Sequence, residues 1–159
     1  MTTSAHSPEL TLPGHLDHRR LTTRLGYHLA QATVPTNNVF KSHITETFNL
    51  NKLEFTILML LVANEEVTPK RLSRAMNVPA SNMTLIVDRL ENRELVERLR
   101  SEEDRRVQYL QLTRKGIKLT REVVAVADTM EHDLLSHLTK AEQAILFELL
   151  KKIAIHRMA

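Results

Sequence analysis

Apolar positions recur every three to four residues along most of the chain, and breaks in that rhythm mark where the elements begin and end. From about Gly14, the residues Leu16, Leu21, Leu25, Leu29 and Ala32 keep helical spacing until Val34 and Pro35, where a kink or break is expected. Val39, Phe40, Ile44 and Phe48 then resume the pattern. Asn51, with Glu54 three residues on, forms a capping pair and opens a heavily apolar helix to about Ala63. Thr68 before Pro69 is a second start, because the hydroxyl can accept from an orphan amide and proline at the first helical position gives up no needed donor. Leu72, Ala75 and Met76 give this short helix one buried stripe. Asn77, Val78 and Pro79 make a turn: Asn tolerates unusual backbone angles, and Pro79 biases Val78 away from the helical region. The next helix runs from about Pro79 to Asn92, with Met83, Ile86, Val87 and Leu90 inward.

Beyond it the period shortens. Leu95, Val96 and Leu99 alternate imperfectly with Glu97, Arg98 and Arg100, whereas Val107 to Thr113 alternates well apart from one slip between Tyr109 and Leu110. The polar run SEEDRR between them reads as a hairpin tip. Thr113 then caps a helix carrying Ile117, Val123, Ala127, Met130, Leu134 and Leu138. Thr139 with Glu142 opens the last helix, which has Ile145, Leu149 and Ile153 on one face and Leu146 and Leu150 beside them. The expected fold is mainly α with a small β-wing: a winged helix-turn-helix flanked by helices that form a dimerisation region.

That order of elements implies binding to duplex DNA. The face of the 79–92 helix left outside the core carries Ser81, Asn82, Thr84, Leu85, Asp88 and Arg89. A merely solvated face favours Glu and Lys, whereas Ser, Asn and Thr weaken a helix but suit base edges and phosphates. Asn82 and Thr84 are expected nearest to bases, with Ser81 beside them and Arg89 on phosphate. At the hairpin tip, Ser101 to Glu103 read as solvated ion pairs. Asp104, two residues from Arg106, can hold that guanidinium in one pose for a narrow minor groove, with Arg105 adjacent.

The segment resembles the MarR family of bacterial transcription regulators. Its D-x-R motif is Asp104, Arg105, Arg106; its L-T-x-x-G is Leu112, Thr113, Arg114, Lys115, Gly116; its V-D-R-L-E is Val87 to Glu91. There are two departures. Glu94 stands where the family usually has Gly, so the helix is expected to turn at Asn92 or Arg93 instead. Pro79 stands where the family commonly has a capping Ser. The expected organisation is an arm over 1–12, a helical dimerisation segment over 13–50, the winged helix-turn-helix over 51–113 and a second dimerisation segment over 114–159. Surplus apolar surface on the flanking helices points to a homodimer, which would set two recognition helices on one face of a pseudo-palindromic operator. The resemblance implies the same dimer.

Composition narrows the alternatives. Aromatic residues make up 4% of the 159, with no Trp and 3 Gly, which suits long helices. The net charge of +3 is a weak sign of a polyanionic partner, but residues 98–121 hold eight basic side chains against three acidic ones. The absence of Cys removes disulfides and thiolate metal sites. The longest apolar run, Phe55 to Ala63, is too short to span a bilayer, and no signal peptide is seen, so a cytoplasmic protein without membrane partners is expected. No nucleophile elbow, phosphate loop or H-E-x-x-H occurs, so an enzyme is not expected, nor any cofactor. A helical interaction module without DNA binding is the contrasting class, and Asp88 on the outer face lends it some support.

The run Pro13, Gly14, His15, Leu16, Asp17, His18, Arg19, Arg20 is similar to, though one residue longer than, a P-G-H-L-x-R-R run that family members responsive to aromatic acids carry here. This resemblance implies a regulator of aromatic or heteroaromatic acid catabolism, with His15, His18 and Arg19 holding the carboxylate of a small aromatic effector. The other reading of the same run has Arg19 and Arg20 solvated or salt-bridged to an acidic residue across the dimer. Metal sensing through His15 and His18, or through His132 and His137, competes poorly without Cys or an i, i+4 pair, and no metal site is assigned.

Overall fold

The computed structural model describes residues 16–100, 104 and 107–156. These fall into two compact units, one up to Pro35 and the other from Thr36. The hairpin tip at Ser101, Glu102 and Glu103, together with Arg105, Arg106 and His15, lies outside the described residues.

In the first unit the helix begins at Leu25, eleven residues later than the periodicity suggests. The Asp17 carboxylate accepts the amide of Arg19 at 3.0 Å, and the chain then turns through Leu21 N–H to His18 O and Arg24 N–H to Leu21 O. A short acidic side chain that bonds its own backbone competes with a helical start, and it wins here. Helix α1 covers Leu25–Phe40 with Pro35 inside it, so proline does not end it. Pro35 and the preceding turn are exposed, and the carbonyl that proline leaves without a donor can be hydrated.

The second unit holds the core. A π-helical turn, Lys41–Thr45, and a short helix α2, Glu46–Phe48, lead to α3, Lys52–Ala63, whose capping box between Asn51 and Glu54 forms as expected. Helix α4, Pro69–Met76, is capped by the Thr68 hydroxyl and stops where Asn77 takes a left-handed conformation (φ 52°). Helix α5, Ala80–Asn92, follows, with Pro79 at its cap offering no side-chain bond. Met83, Ile86, Val87 and Leu90 are almost wholly buried against Ile57, Leu58, Leu61 and Leu72. The wing is an antiparallel pair, β1 Val96–Arg100 and β2 Gln108–Leu112, with Val96 opposite Leu112 and Arg100 opposite Gln108. Leu110 also bridges to Val67, its amide bonding the Val67 carbonyl at 2.7 Å. That third partner explains the slip in alternation, since it draws Leu110 into the core.

Helix α6, Arg114–Ala127, is shorter than its apolar pattern, which continues to Leu138. Thr129 turns its hydroxyl back on the Val126 carbonyl, and the chain passes through a short α7, His132–Leu135, before α8, Lys140–Ile155. The Thr139–Glu142 capping box opens α8 as expected, and its bonds from the Thr139 amide and hydroxyl hold the Glu142 carboxyl below its ordinary range. Among the described residues, no helix is long and apolar enough to cross a membrane.

The end of α5 departs from expectation in an informative way. Neither Asn92 nor Arg93 turns the chain: Arg93 stays in the right-handed region, and Glu94 itself adopts φ 58°. The amide of Leu95 reaches back to Leu90 O at 2.9 Å and that of Glu94 to Glu91 O at 2.7 Å, the paired bonds of a Schellman cap. A left-handed residue with a Cβ costs about 1 kcal/mol, and the exposed Glu94–Lys115 ion pair at 3.0 Å returns only a fraction of it. Glu94→Gly is therefore expected to stabilise the fold by roughly 0.5 to 1 kcal/mol. Urea unfolding would show a higher midpoint at an unchanged slope, and a lower midpoint would contradict the left-handed assignment.

Candidate nucleic-acid interface

Burial of one face of α5 leaves the other presented as a unit. Ser81, Asn82, Thr84, Leu85 and Arg89 are all exposed, and Asp88 is half-buried. The Thr84 hydroxyl donates its hydrogen to Ala80 O at 3.0 Å, which leaves the lone pairs of its oxygen and its methyl group to the outer face. Arg89 leans its Nε towards the Glu54 carboxylate at 3.6 Å, and more than half of the side chain stays in solvent. A guanidinium has donors to spare after one such contact, so Arg89 keeps capacity for a phosphate.

Two ion-pair groups that sequence reasoning did not identify hold this helix. Glu54 is buried, accepts the Asn51 amide at 3.0 Å, and lies 3.8 Å from Arg93 Nη1. Arg93 in turn donates to Asn49 O at 2.7 Å and Phe48 O at 3.1 Å. The last turn of α5 is thereby tied to the start of α3. On the opposite side, Arg98 of β1 reaches Asp88 Oδ1 at 2.6 Å and Glu91 Oε2 at 2.5 Å, joining wing to helix. Asp88 thus shares its charge with a cation from the wing while 44% of its side chain stays exposed. Residue spacing alone could not reveal these pairs, because each spans elements that meet only on folding.

Of the hairpin-tip residues, Asp104 is described and exposed, and its carbonyl accepts the Val107 amide at 2.8 Å. Its expected hold on Arg106 falls on a residue outside the described set, as does Arg105.

The residues expected to take an effector are placed less favourably. Arg19 is exposed, and its guanidinium is clasped by Asp17 at 2.7 to 3.1 Å, which lowers the Asp17 carboxyl and raises the guanidinium relative to their ordinary values. This ion pair is local, two residues apart in one chain, and is not the pair across the dimer that the other reading expects. His18 is half-buried, with Nδ1 2.6 Å from the Tyr27 hydroxyl and Nε2 enclosed without a partner. Among the described residues, no three His, Cys, Asp or Glu side chains gather as a metal site.

A cleft of about 750 Å³ lies instead behind the wing, walled by Leu61 and Val62 of α3, Tyr109 of β2, and Ile117, Arg121 and Val124 of α6. Glu65 and Glu66 also line it. Its size and apolar walls suit a small organic ligand, and Arg121 supplies a cation. The sequence signalled Arg121 only as one charge in a basic cluster.

Comparison with known proteins agrees with this geometry. A model of the MarR family matches residues 50–107. The chain is 33% identical over 135 residues to the transcriptional repressor MprA of Escherichia coli strain K12, an alignment spanning 84% of this chain and 74% of the repressor. It is similar to the transcriptional repressor CouR, solved bound to a 23-mer DNA duplex: 28% identity, TM-score 0.80, covering 87% of this chain and 98% of that one. The regulator BpsR of Bordetella bronchiseptica, whose structure concerns regulation of its DNA binding by 6-hydroxynicotinic acid, shares the fold at 22% identity, with a TM-score of 0.76 over 84% of this chain and 95% of that one.

The clasp by Arg98 generates a test. Arg98→Met is expected to weaken duplex binding about tenfold by releasing two carboxylates beside the phosphates. Adding Asp88→Asn should restore most of the loss. If the double variant binds no better than the single one in fluorescence anisotropy at fixed salt, charge compensation is not what Arg98 provides.

Proposed function

The chain belongs to the MarR family of DNA-binding transcription regulators, and from that premise we propose that it is a cytoplasmic repressor acting as a homodimer on a pseudo-palindromic operator. A small aromatic or heteroaromatic carboxylic acid releases it. The relatives matched are regulators, not enzymes. The observation that carries the reading is the outer face of α5. Short polar side chains stand exposed there, and the one carboxylate among them is neutralised by the wing. Ser81, Asn82 and Thr84 enter the major groove, Arg89 takes a phosphate, and the tip residues Asp104, Arg105 and Arg106 approach the minor groove.

Dimerisation is supported by α8. None of its residues is buried, and Ile145, Phe147, Leu149 and Ile153 are about half exposed. So much apolar surface on one helix calls for a partner, and a second copy is the simplest. The segments 13–50 and 114–159 supply that interface, flanking the reading module of 51–113.

The effector reading is supported by the cleft behind the wing. A ligand there would touch β2, which carries the wing, and α6, which leads towards α8, so it can bind one wing position better than another; only such differential binding shifts an equilibrium. Coupling of about 1 to 3 kcal/mol would change DNA affinity 5- to 150-fold.

Three outcomes are expected. Arg106→Ala lowers operator affinity by about 1 to 3 kcal/mol and reduces the slope of log K against log salt by about one; unchanged affinity and slope would remove the wing from the interface. Ile145→Glu combined with Leu149→Glu gives a monomer by light scattering and abolishes tight operator binding, whereas a dimer of full affinity would place the interface elsewhere. In a thermal-shift screen of aromatic acids, Arg121→Ala loses the shift and Arg19→Ala keeps it. The reverse pattern would return the anchor to His15, His18 and Arg19.

A further inference from the structure

One side chain on the reading face does not fit the polar logic of its neighbours. Leu85 is 63% exposed, while the other large apolar side chains of α5, at Met83, Ile86, Val87 and Leu90, are almost completely buried. It sits at the middle of the outer face, one turn beyond Ser81 and Asn82 and one turn before Asp88 and Arg89. Scattered exposed leucines are ordinary on protein surfaces, and Leu favours a helix, so exposure alone assigns nothing. Position does more. The residue at the centre of a recognition face reaches furthest into the groove, and its neighbours are committed to its sides: Asp88 to Arg98 at 2.6 Å, and Arg89 towards Glu54 at 3.6 Å. Between them, beside the polar Ser81, Asn82 and Thr84, stands an exposed isobutyl group.

The major-groove edge of DNA offers one apolar group, the C5-methyl of thymine. An isobutyl group facing any other base edge would strip water from donors and acceptors it cannot replace. We infer that Leu85 is a specificity-determining residue that selects thymine at one position in each operator half-site by packing on its methyl group. This rests on the DNA-reading role of α5 and adds to it the identity of one base. It also assigns the residue that no hydrogen-bonding scheme for this helix would use.

The test uses the intact chain and a duplex selected from a randomised pool. Each thymine of the selected sequence is replaced singly by deoxyuridine, which deletes the methyl group and leaves every hydrogen-bonding edge intact. The parent protein should lose affinity about fourfold at one symmetry-related thymine pair, the worth of one buried methyl-sized group. Leu85→Ala, a surface change that leaves the core untouched, should bind thymine and uracil duplexes alike at that pair while still binding both. Should uracil change the affinity of parent and Leu85→Ala by the same factor at every position, or should the selected half-site contain no thymine, the assignment to Leu85 is wrong although the helix still reads DNA. If the parent binds no duplex with an affinity that falls as salt rises, the reading of the helix itself fails, and this inference fails with it.

Discussion

The corner at Glu94 and Leu95 is the constraint on which the reading module depends. Within two residues the recognition helix must end, reverse and feed the wing. Leu95 closes the helix by donating to Leu90 O and receives the amide of Thr113 at 3.1 Å on its own carbonyl. Thr113 also donates its hydroxyl to Glu94 O at 2.6 Å, and the Thr113 Oγ1 accepts the Gly116 amide at 3.0 Å at the start of α6. A side chain at Gly116 would collide with the Leu95 carbonyl, so glycine is required there by a close backbone approach. Helix, strand and following helix therefore meet at one point with little freedom. The angle between α5 and the wing follows from that meeting.

From this corner the electrostatics of the face follow. Because β1 leaves it alongside α5, Arg98 lands beside Asp88 and Glu91, and a charge unsuited to phosphate contact becomes part of a clasp. Because the last turn of α5 packs on α3, buried Glu54 finds Arg93 and Arg89. Breaking either group would leave a partly buried charge without its partner, which costs more than an exposed pair is worth. The reading face is thus posed from both sides, while Leu85 stands 63% exposed between them.

Much of this was legible in the residues. Thr68–Pro69, Asn51–Glu54, Thr113 and Thr139–Glu142 fixed four helix starts, since capping chemistry is local. The buried stripe of α5 followed from spacing, and so did its outward face. Local rules failed where competing local bonds intervened. Asp17 holds the chain in turns before Leu25, and the back-bonding Thr129 follows the end of α6 at Ala127 although apolar spacing continues beyond both points. Position 94 failed for another reason: a cap geometry favoured by glycine was met by glutamate at a cost in backbone energy, and the helix end stayed where it was. The cleft behind the wing was invisible because its walls come from α3, β2 and α6, which are distant in sequence. The N-terminal run containing Arg19 was easy to see, yet the described structure gives that arginine to Asp17.

The central claim is that two copies of one posed reading head face the same side of a duplex. Hydroxyl-radical and methylation footprinting of the intact protein on a selected duplex tests it most directly. Two protected major-groove patches should appear on one face, about 10 base pairs apart from centre to centre or a whole multiple of that, each flanked by minor-groove protection from the wing. A single patch, or two patches on opposite faces, would contradict the account.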